Sequence, residues 1–405
     1  MRFLYFIIVI LICMVPFSGN NSPFKYPYQL LVVVAGFGGV IILNMYLQHK
    51  ERWKRDFAFL IISIFVIILL SILFNLGIYS LEGLFDAFSL CLSLLVCVSV
   101  AHVIDTEAKK EFIYKCLLVL VFLNFIFGLL QLYFGADIIF GNPPIGGRIS
   151  GLFSWGAPVV GSFAGLVFPL IVYLFIDHWR KFVAYFTFFI CVIMLGGNRS
   201  LLIADVLTLV FILLFSKNYK KYSILFVFFI ACIVIFIVPY VLLNMQDLFS
   251  DNLLYRLDSL GGDIIEEQKG KRIATWIQTY YMVLDNPFFG VGPGNYKASI
   301  VAYLHVVNNS EGVMPHPHHV YLDIISILGV IGFSFFIILA SYLIYLSKKY
   351  INNEKVLIEN LLIILIIFSP LNVTHGLVSS WWSFLCFMML GIVVANINIY
   401  MKNIK

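Results

Sequence analysis

"MPHPHHVYLDIISILGVIGF" spans Met314–Phe333. Three histidines and two prolines stand directly before a run of about a dozen apolar residues. That run reads as the start of a membrane-spanning helix because of the chain around it. Of 405 residues, 62% are hydrophobic, 17% aromatic and only 12% charged, and the mean hydropathy is +1.00. Soluble domains carry about a quarter charged residues. The chain is therefore expected to be an all-α polytopic membrane protein, since lipid offers a spanning backbone no hydrogen-bond partners outside a helix. What needs explaining is why so apolar a chain sets its densest cluster of titratable groups at the mouth of a hydrophobic segment.

Working outward, twelve apolar runs are long enough to span, or to span when packed in a bundle. They lie at about 4–17, 28–48, 57–79, 84–103, 113–135, 157–176, 182–196, 199–216, 223–245, 319–346, 357–371 and 376–400. The first resembles a signal peptide in its basic start, but lacks a clear small-residue cleavage site, so an uncleaved span is favoured. If the spans alternate, 18 of the 26 Lys and Arg residues fall on one side, which reads as cytoplasm. The other side holds eight basic residues and five of the eight histidines. It also holds a segment of about seventy residues, too long to be a plain connection. The expected organisation is spans one to nine over 1–245, an extracytoplasmic loop over 246–318 and spans ten to twelve over 319–405. Inside the loop, Ile273, Trp276, Ile277 and Tyr280 recur at helical spacing and predict an amphipathic helix starting near Arg272 at the membrane surface. The seven cysteines all lie in apolar runs and form no Cys-x-x-Cys pair, so neither a disulfide framework nor a zinc site is expected.

Three arginines stand at extracytoplasmic edges: Arg148 in "GGRISGLF", Arg199 in "LGGNRSLLIADV" and Arg272 in "GKRIATW". Guanidinium stays charged and grips phosphate oxygens bidentately, and a helix N-terminus adds N–H donors. Each arginine alone is equally an anchor to lipid headgroups; together, beside glycines that allow close approach, they favour a diphosphate site. Asp205, six residues into span eight, is the one charge clearly buried in a span; it either neutralises an arginine or acts directly. His318 and His319 open span ten, with Asp323 four residues on. A histidine there is a general base, a helix cap or, least favoured because Pro317 splits the cluster, a metal ligand.

These pieces together resemble the O-antigen ligase and polymerase superfamily of bacterial surface-polysaccharide assembly. "HHVYLDIISILGVIGF" is similar to the family's histidine signature, with His318 on the family histidine and Leu322, Gly329 and Gly332 behind it. "RIATWIQTYYMVLDNPFFGVGPGNY", "GGNRSLL" and "GRISGLF" resemble further family segments, so the likeness covers about 148–335. His319 departs from the usual asparagine, Ile327 from a frequent glutamate, and "SWGA" follows "GLF" where several polymerases carry an acid. The resemblance implies a GT-C-like fold and a metal-independent, inverting transfer of glycan from an undecaprenyl-diphosphate-linked oligosaccharide to an acceptor glycan. No cofactor and no nucleic acid is implied. The reaction would face the periplasm, in a multi-pass protein of the bacterial inner membrane. Arg148, Arg199 and Arg272 would hold the diphosphate, His318 would be the base, and Trp276, Tyr296 and His319 would touch glycan. Lipids surround the fold, and a chain-length regulator is a conceivable partner. Polymerase, with a second lipid-linked repeat unit as acceptor, is favoured over ligase, whose acceptor is lipid A-core. A flippase is disfavoured because it should carry charges along several spans.

Overall fold

A computed structural model of the chain describes residues 2–18, 25–137, 139, 141, 149–153, 159–215, 263–306, 314, 316–369, 375–376 and 380–404. All regular structure among them is helical. The helices are α1 (Arg2–Met14), α2 (Lys25–Leu47), α3 (Arg52–Phe74), α4 (Leu81–Val103), α5 (Glu107–Phe134), α6 (Val159–Phe175) and α7 (Trp179–Leu195). They continue with α8 (Arg199–Phe215), α9 (Asp263–Asp285), α10 (Tyr296–Ile300), α11 (Val320–Tyr350), α12 (Glu354–Ile367) and α13 (Ser380–Ile404). Eleven of the twelve expected spans coincide with a helix; the ninth, 223–245, lies outside the described residues. Among the described residues, six helices, α2, α3, α4, α5, α11 and α13, are long and apolar enough to cross a membrane. The chain is thus a helical membrane protein with several apolar spans.

The bundle is organised around α13, the most enclosed of the long helices, with α4 beside it. Small residues let the backbones approach. A side chain at Gly391 would meet the Cys97 carbonyl, and one at Gly39 would meet that of Leu95. Polar residues at the starts set where helices begin: the Ser80, Thr106 and Asn353 side chains accept backbone N–H bonds in the first turns of α4, α5 and α12.

The span opened by the quoted stretch is not one continuous helix. Gly329 sits at φ +67°, ψ −174° inside α11, a conformation open to glycine and strained for other residues. The loop after α9 docks on the break. Val291 N–H donates to the Ser326 carbonyl (2.8 Å), Gly292 N–H to Ile327 (3.0 Å), and Val330 N–H to Pro287 (2.8 Å). From α3, Ser71 Oγ donates to the Phe289 and Ile327 carbonyls (2.6 and 3.0 Å), and Asn75 Nδ2 to Gly290 (3.0 Å). A break at membrane depth is tolerated when the freed groups are bonded in this way. Gly329 therefore serves a docked loop; a side chain there would run into Phe288 backbone. The half-helix Val320–Leu328 is clamped as a separate piece, and it carries the histidines.

Two sequence expectations need correcting. First, α9 begins at Asp263, so Arg272 lies in mid-helix and has no helix N-terminus to add donors. Its inward face is small and polar, Ala274, Thr275, Gln278 and Thr279, while Ile273, Ile277, Tyr280 and Leu284 point outward. Second, Asp205 is not the sole buried charge. Lys110 and Glu359 are both 0% exposed, because each lies within reach of the other.

Candidate active site

Three loops and one helix meet at the start of α11. His319 is the N-cap: its Nδ1 accepts from Leu322 N–H at 3.5 Å. Its ring stands edge-on to Trp276 at 5.7 Å between centroids. Trp276 in turn donates its indole N–H to the Pro317 carbonyl at 2.8 Å, so α9 holds the proline that aims the chain into α11. The cap is thus His319 and not His318.

His318 has φ +51°, the one positive φ of a non-glycine residue among the described residues. Such a backbone costs on the order of 1 kcal/mol and persists where surroundings impose it. The imposing group is His316, whose Nδ1 accepts the His318 N–H at 3.2 Å and whose ring lies 3.9 Å from the His318 ring between centroids. His316 is half-buried, and burial, with His318, His375 and Arg272 close by, holds its pKa well below the usual value. His319 is lowered by burial as well.

His375, from the short loop between α12 and α13, closes the cluster. Its Nε2 lies 3.0 Å from Ser162 Oγ on α6. Ser162 Oγ also accepts from Asn198 Nδ2 at 2.7 Å, and Asn198 is the residue before Arg199. The His375 ring packs against Trp381 and Trp382, at 4.7 and 5.4 Å between centroids. Burial, then His318, push its pKa down to about 3. Its neighbour Gly376 leaves room for His316 and the Asp323 carboxylate, which a side chain there would crowd.

The Arg199 turn is tied to the same place through Asn198 and Ser162. Arg199 begins α8 directly after the Gly196–Gly197 turn, and Gly161 of α6 presses on that turn so closely that a Cβ at Gly196 would run into the Gly161 backbone. Arg148 lies outside the described residues, but Ile149 N–H donates to the Leu195 carbonyl at 3.3 Å, which pins the adjacent residue to the end of α7. Asn124 and Gln131 of α5 hold the buried backbone at Leu152 and Ser150. Arg272 is half-buried, is lowered by that burial, and makes no ion pair among the described residues.

Of the remaining expected residues, Tyr296 is buried, with its hydroxyl on Thr279 at 2.6 Å. Asp205 is buried with neither carboxylate oxygen hydrogen-bonded among the described residues. No group of three His, Cys, Asp or Glu among the described residues is arranged to hold a metal ion. Sequence reasoning missed His375 and the relay Ser162–Asn198; the signal available was only a lone histidine before two tryptophans.

The site is thus a basic, partly dehydrated mouth, suited to binding an anion and moving a proton at a hydroxyl. In comparisons with known proteins, the family model described as O-antigen ligase matches residues 184–337, well under half the chain. That segment holds Arg199, Arg272, His318 and His319, and leaves out Arg148 and His375. No curated protein matches the chain.

Proposed function

The chain carries a domain of the O-antigen ligase/polymerase superfamily, and from that premise we propose that it is a glycosyltransferase acting on a polyprenyl-diphosphate-linked glycan, most specifically a polymerase. The observation that carries this is Arg272: a guanidinium held half out of water, with no ion pair among the described residues, near His316, whose pKa burial lowers. A buried charge requires a partner. A diphosphate supplies one, and charge on it grows as the glycosidic bond breaks. Arg199, at the start of α8, and Arg148 would share it. His318 would take the proton from the acceptor hydroxyl as that oxygen attacks the anomeric carbon from the face opposite the diphosphate, which inverts the centre. The proposed reaction needs no metal. The outward apolar stripe of α9, Ile273, Ile277, Tyr280 and Leu284, suits contact with lipid, and the site would face the periplasm.

Acceptor choice separates two readings. A second lipid-linked repeat unit makes the chain a polymerase, whereas lipid A-core makes it a ligase, the activity in the family's description. Deleting the gene and resolving surface lipopolysaccharide by electrophoresis decides between them. A polymerase mutant leaves cores capped with one repeat unit; a ligase mutant leaves bare cores and accumulated lipid-linked glycan. Unchanged glycan in the mutant removes both readings. Within the site, His318→Ala should lower transfer at least about a hundredfold in folded protein, and normal transfer would end its assignment as base.

A further inference from the structure

We propose that His375 is a positioning residue that holds the Gly196–Arg199 turn in register with the histidine mouth, acting through Ser162. The glycosyl-transfer reading above supplies the reason such a register matters, but the tie rests on separate observations. His375 and Gly376 together meet both halves of the site. On one side, Nε2 meets Ser162 Oγ at 3.0 Å, and Ser162 accepts from Asn198 at 2.7 Å. On the other, the loop carrying His375 places Gly376 against the His316 side chain and the Asp323 carboxylate, and His316 holds the backbone of His318.

The chemistry of each member fits a relay. Ser162 receives an N–H from Asn198 and keeps one proton to give, which suits an imidazole nitrogen as acceptor. Trp381 and Trp382 fix the ring's direction from α13. The His375 ring packs on two tryptophans and burial lowers its pKa, which suits a neutral hydrogen-bonding partner for Ser162. The turn it reaches is tightly bonded and so has one well-defined position to hold. Gly196 N–H donates to Val192 (2.9 Å), Gly197 N–H to Met194 (2.9 Å), and Asn198 N–H to Ile193 (3.2 Å). A polar chain packed between helices is costly unless every member is bonded. Its presence across three separate segments fits a requirement for geometry more than for stability.

The test uses the full chain in lipid nanodiscs, with His375→Ala, Ser162→Ala, the double variant and His375→Gln, which keeps an acceptor. Two measurements are made: amide hydrogen exchange at Gly196, Gly197 and Asn198, and binding of undecaprenyl diphosphate. Each alanine variant should exchange about tenfold faster at the turn, as expected when one buried hydrogen bond is lost. Each should bind the lipid diphosphate about tenfold more weakly. The double variant should be no worse than the poorer single, because both remove one tie, and His375→Gln should recover most of both losses. Unchanged exchange at the turn in correctly folded His375→Ala overturns the proposal, whatever the binding shows. Faster exchange with normal binding overturns it too, since the turn would then not matter to the ligand. If exchange rises but wild type binds no lipid diphosphate, the tie stands and the glycosyl-transfer reading falls.

Discussion

The two ends of α13 treat buried charge in opposite ways. At one end, Lys110 is fully buried and fully answered: Glu107 lies at 2.8 Å, Asn396 Oδ1 at 2.9 Å, Glu359 at 3.5 Å, and the Tyr173 ring sits 3.8 Å from the ammonium. Tyr173 completes the set by donating to Glu107 at 2.9 Å. About 22 Å away along the helix, counted from Trp381 to Asn396 at the helical rise, the histidine mouth gathers His316, His318, His375 and Arg272 around one another. There, a basic group's near neighbours are largely basic groups. A cluster that neutralises itself holds helices together, whereas at the histidine end one half-buried guanidinium stands among imidazoles and makes no ion pair among the described residues.

The comparison breaks first, and hardest, at Lys110. Lys110→Ala leaves two carboxylates without their cation, which should cost about 3–5 kcal/mol in thermal melting of the detergent-solubilised protein. Adding Glu359→Leu to Lys110→Met should recover much of that, because an apolar pair of similar volume often serves a buried site as well. A loss from Lys110→Ala below about 1 kcal/mol, the range of exposed pairs, would show that water reaches this end and that the two clusters differ less than the contacts imply. Arg272→Ala should do the reverse. Melting stays put, while transfer falls by about 3 kcal/mol of barrier, roughly a hundredfold. Arg272→Lys should fail substantially as well, because an ammonium cannot reproduce the bidentate fork. A rise in melting temperature on Arg272→Ala with transfer intact would make this arginine a mere surface anchor.

How much of this was legible beforehand follows from where each partner lies in the chain. The helices were readable because lipid forces apolar runs into that form, and Arg199 at the start of α8 was readable from the glycines before it. The break at Gly329 was not. A glycine in an apolar run also reads as a helix-packing residue, and only the docked backbone of Phe288–Gly292 distinguishes the two. The first nine residues of α9 were missed because their charges and glycine give no apolar period until Arg272. Lys110 reads as one of several solvated basic residues near a span end, and Glu359, 249 positions later, supplies the missing reason for its burial. His375 was invisible for the same cause, as its Ser162 partner stands 213 positions earlier. In each case the sequence shows a residue type, and the fold supplies the neighbour that gives it a role.

The next effect is a pH dependence confined to the histidine end. His375 titrates near 6.5 when unfolded and near 3 when folded. Below pH 6.5 the unfolded chain therefore takes up a proton that the folded chain refuses, and stability falls as pH falls. At pH 5 the loss from this residue should approach about 2 kcal/mol, and His316, lowered in the same direction, adds to it. Melting temperatures measured from pH 7.5 to 4.5 should decline in wild type and flatten in His375→Asn. An identical slope in that variant would mean that the ring is hydrated and that the mouth is less dry than its packing indicates.

The smallest effect sharpens the comparison within the mouth itself, between two adjacent histidines. His319 works as a cap, with Nδ1 on Leu322 N–H at 3.5 Å, and its ring leans on Trp276. Asparagine is among the best N-cap residues and presents a shorter side-chain acceptor to the same first turn, so the loss of a long hydrogen bond is offset by a better one. His319→Asn should hold both melting and transfer to within about 0.5 kcal/mol, whereas His319→Ala, which abandons the N–H, should cost about 1 kcal/mol of stability. His318 permits no such exchange. Its backbone is already held at φ +51° by His316, and its ring is the group proposed to take the proton. Parallel assays of His319→Asn and His318→Asn, with melting recorded for both, should give near-normal transfer in the first and loss in the second. Loss in the first and survival in the second would move the base by one residue and make His318 the structural member of the pair.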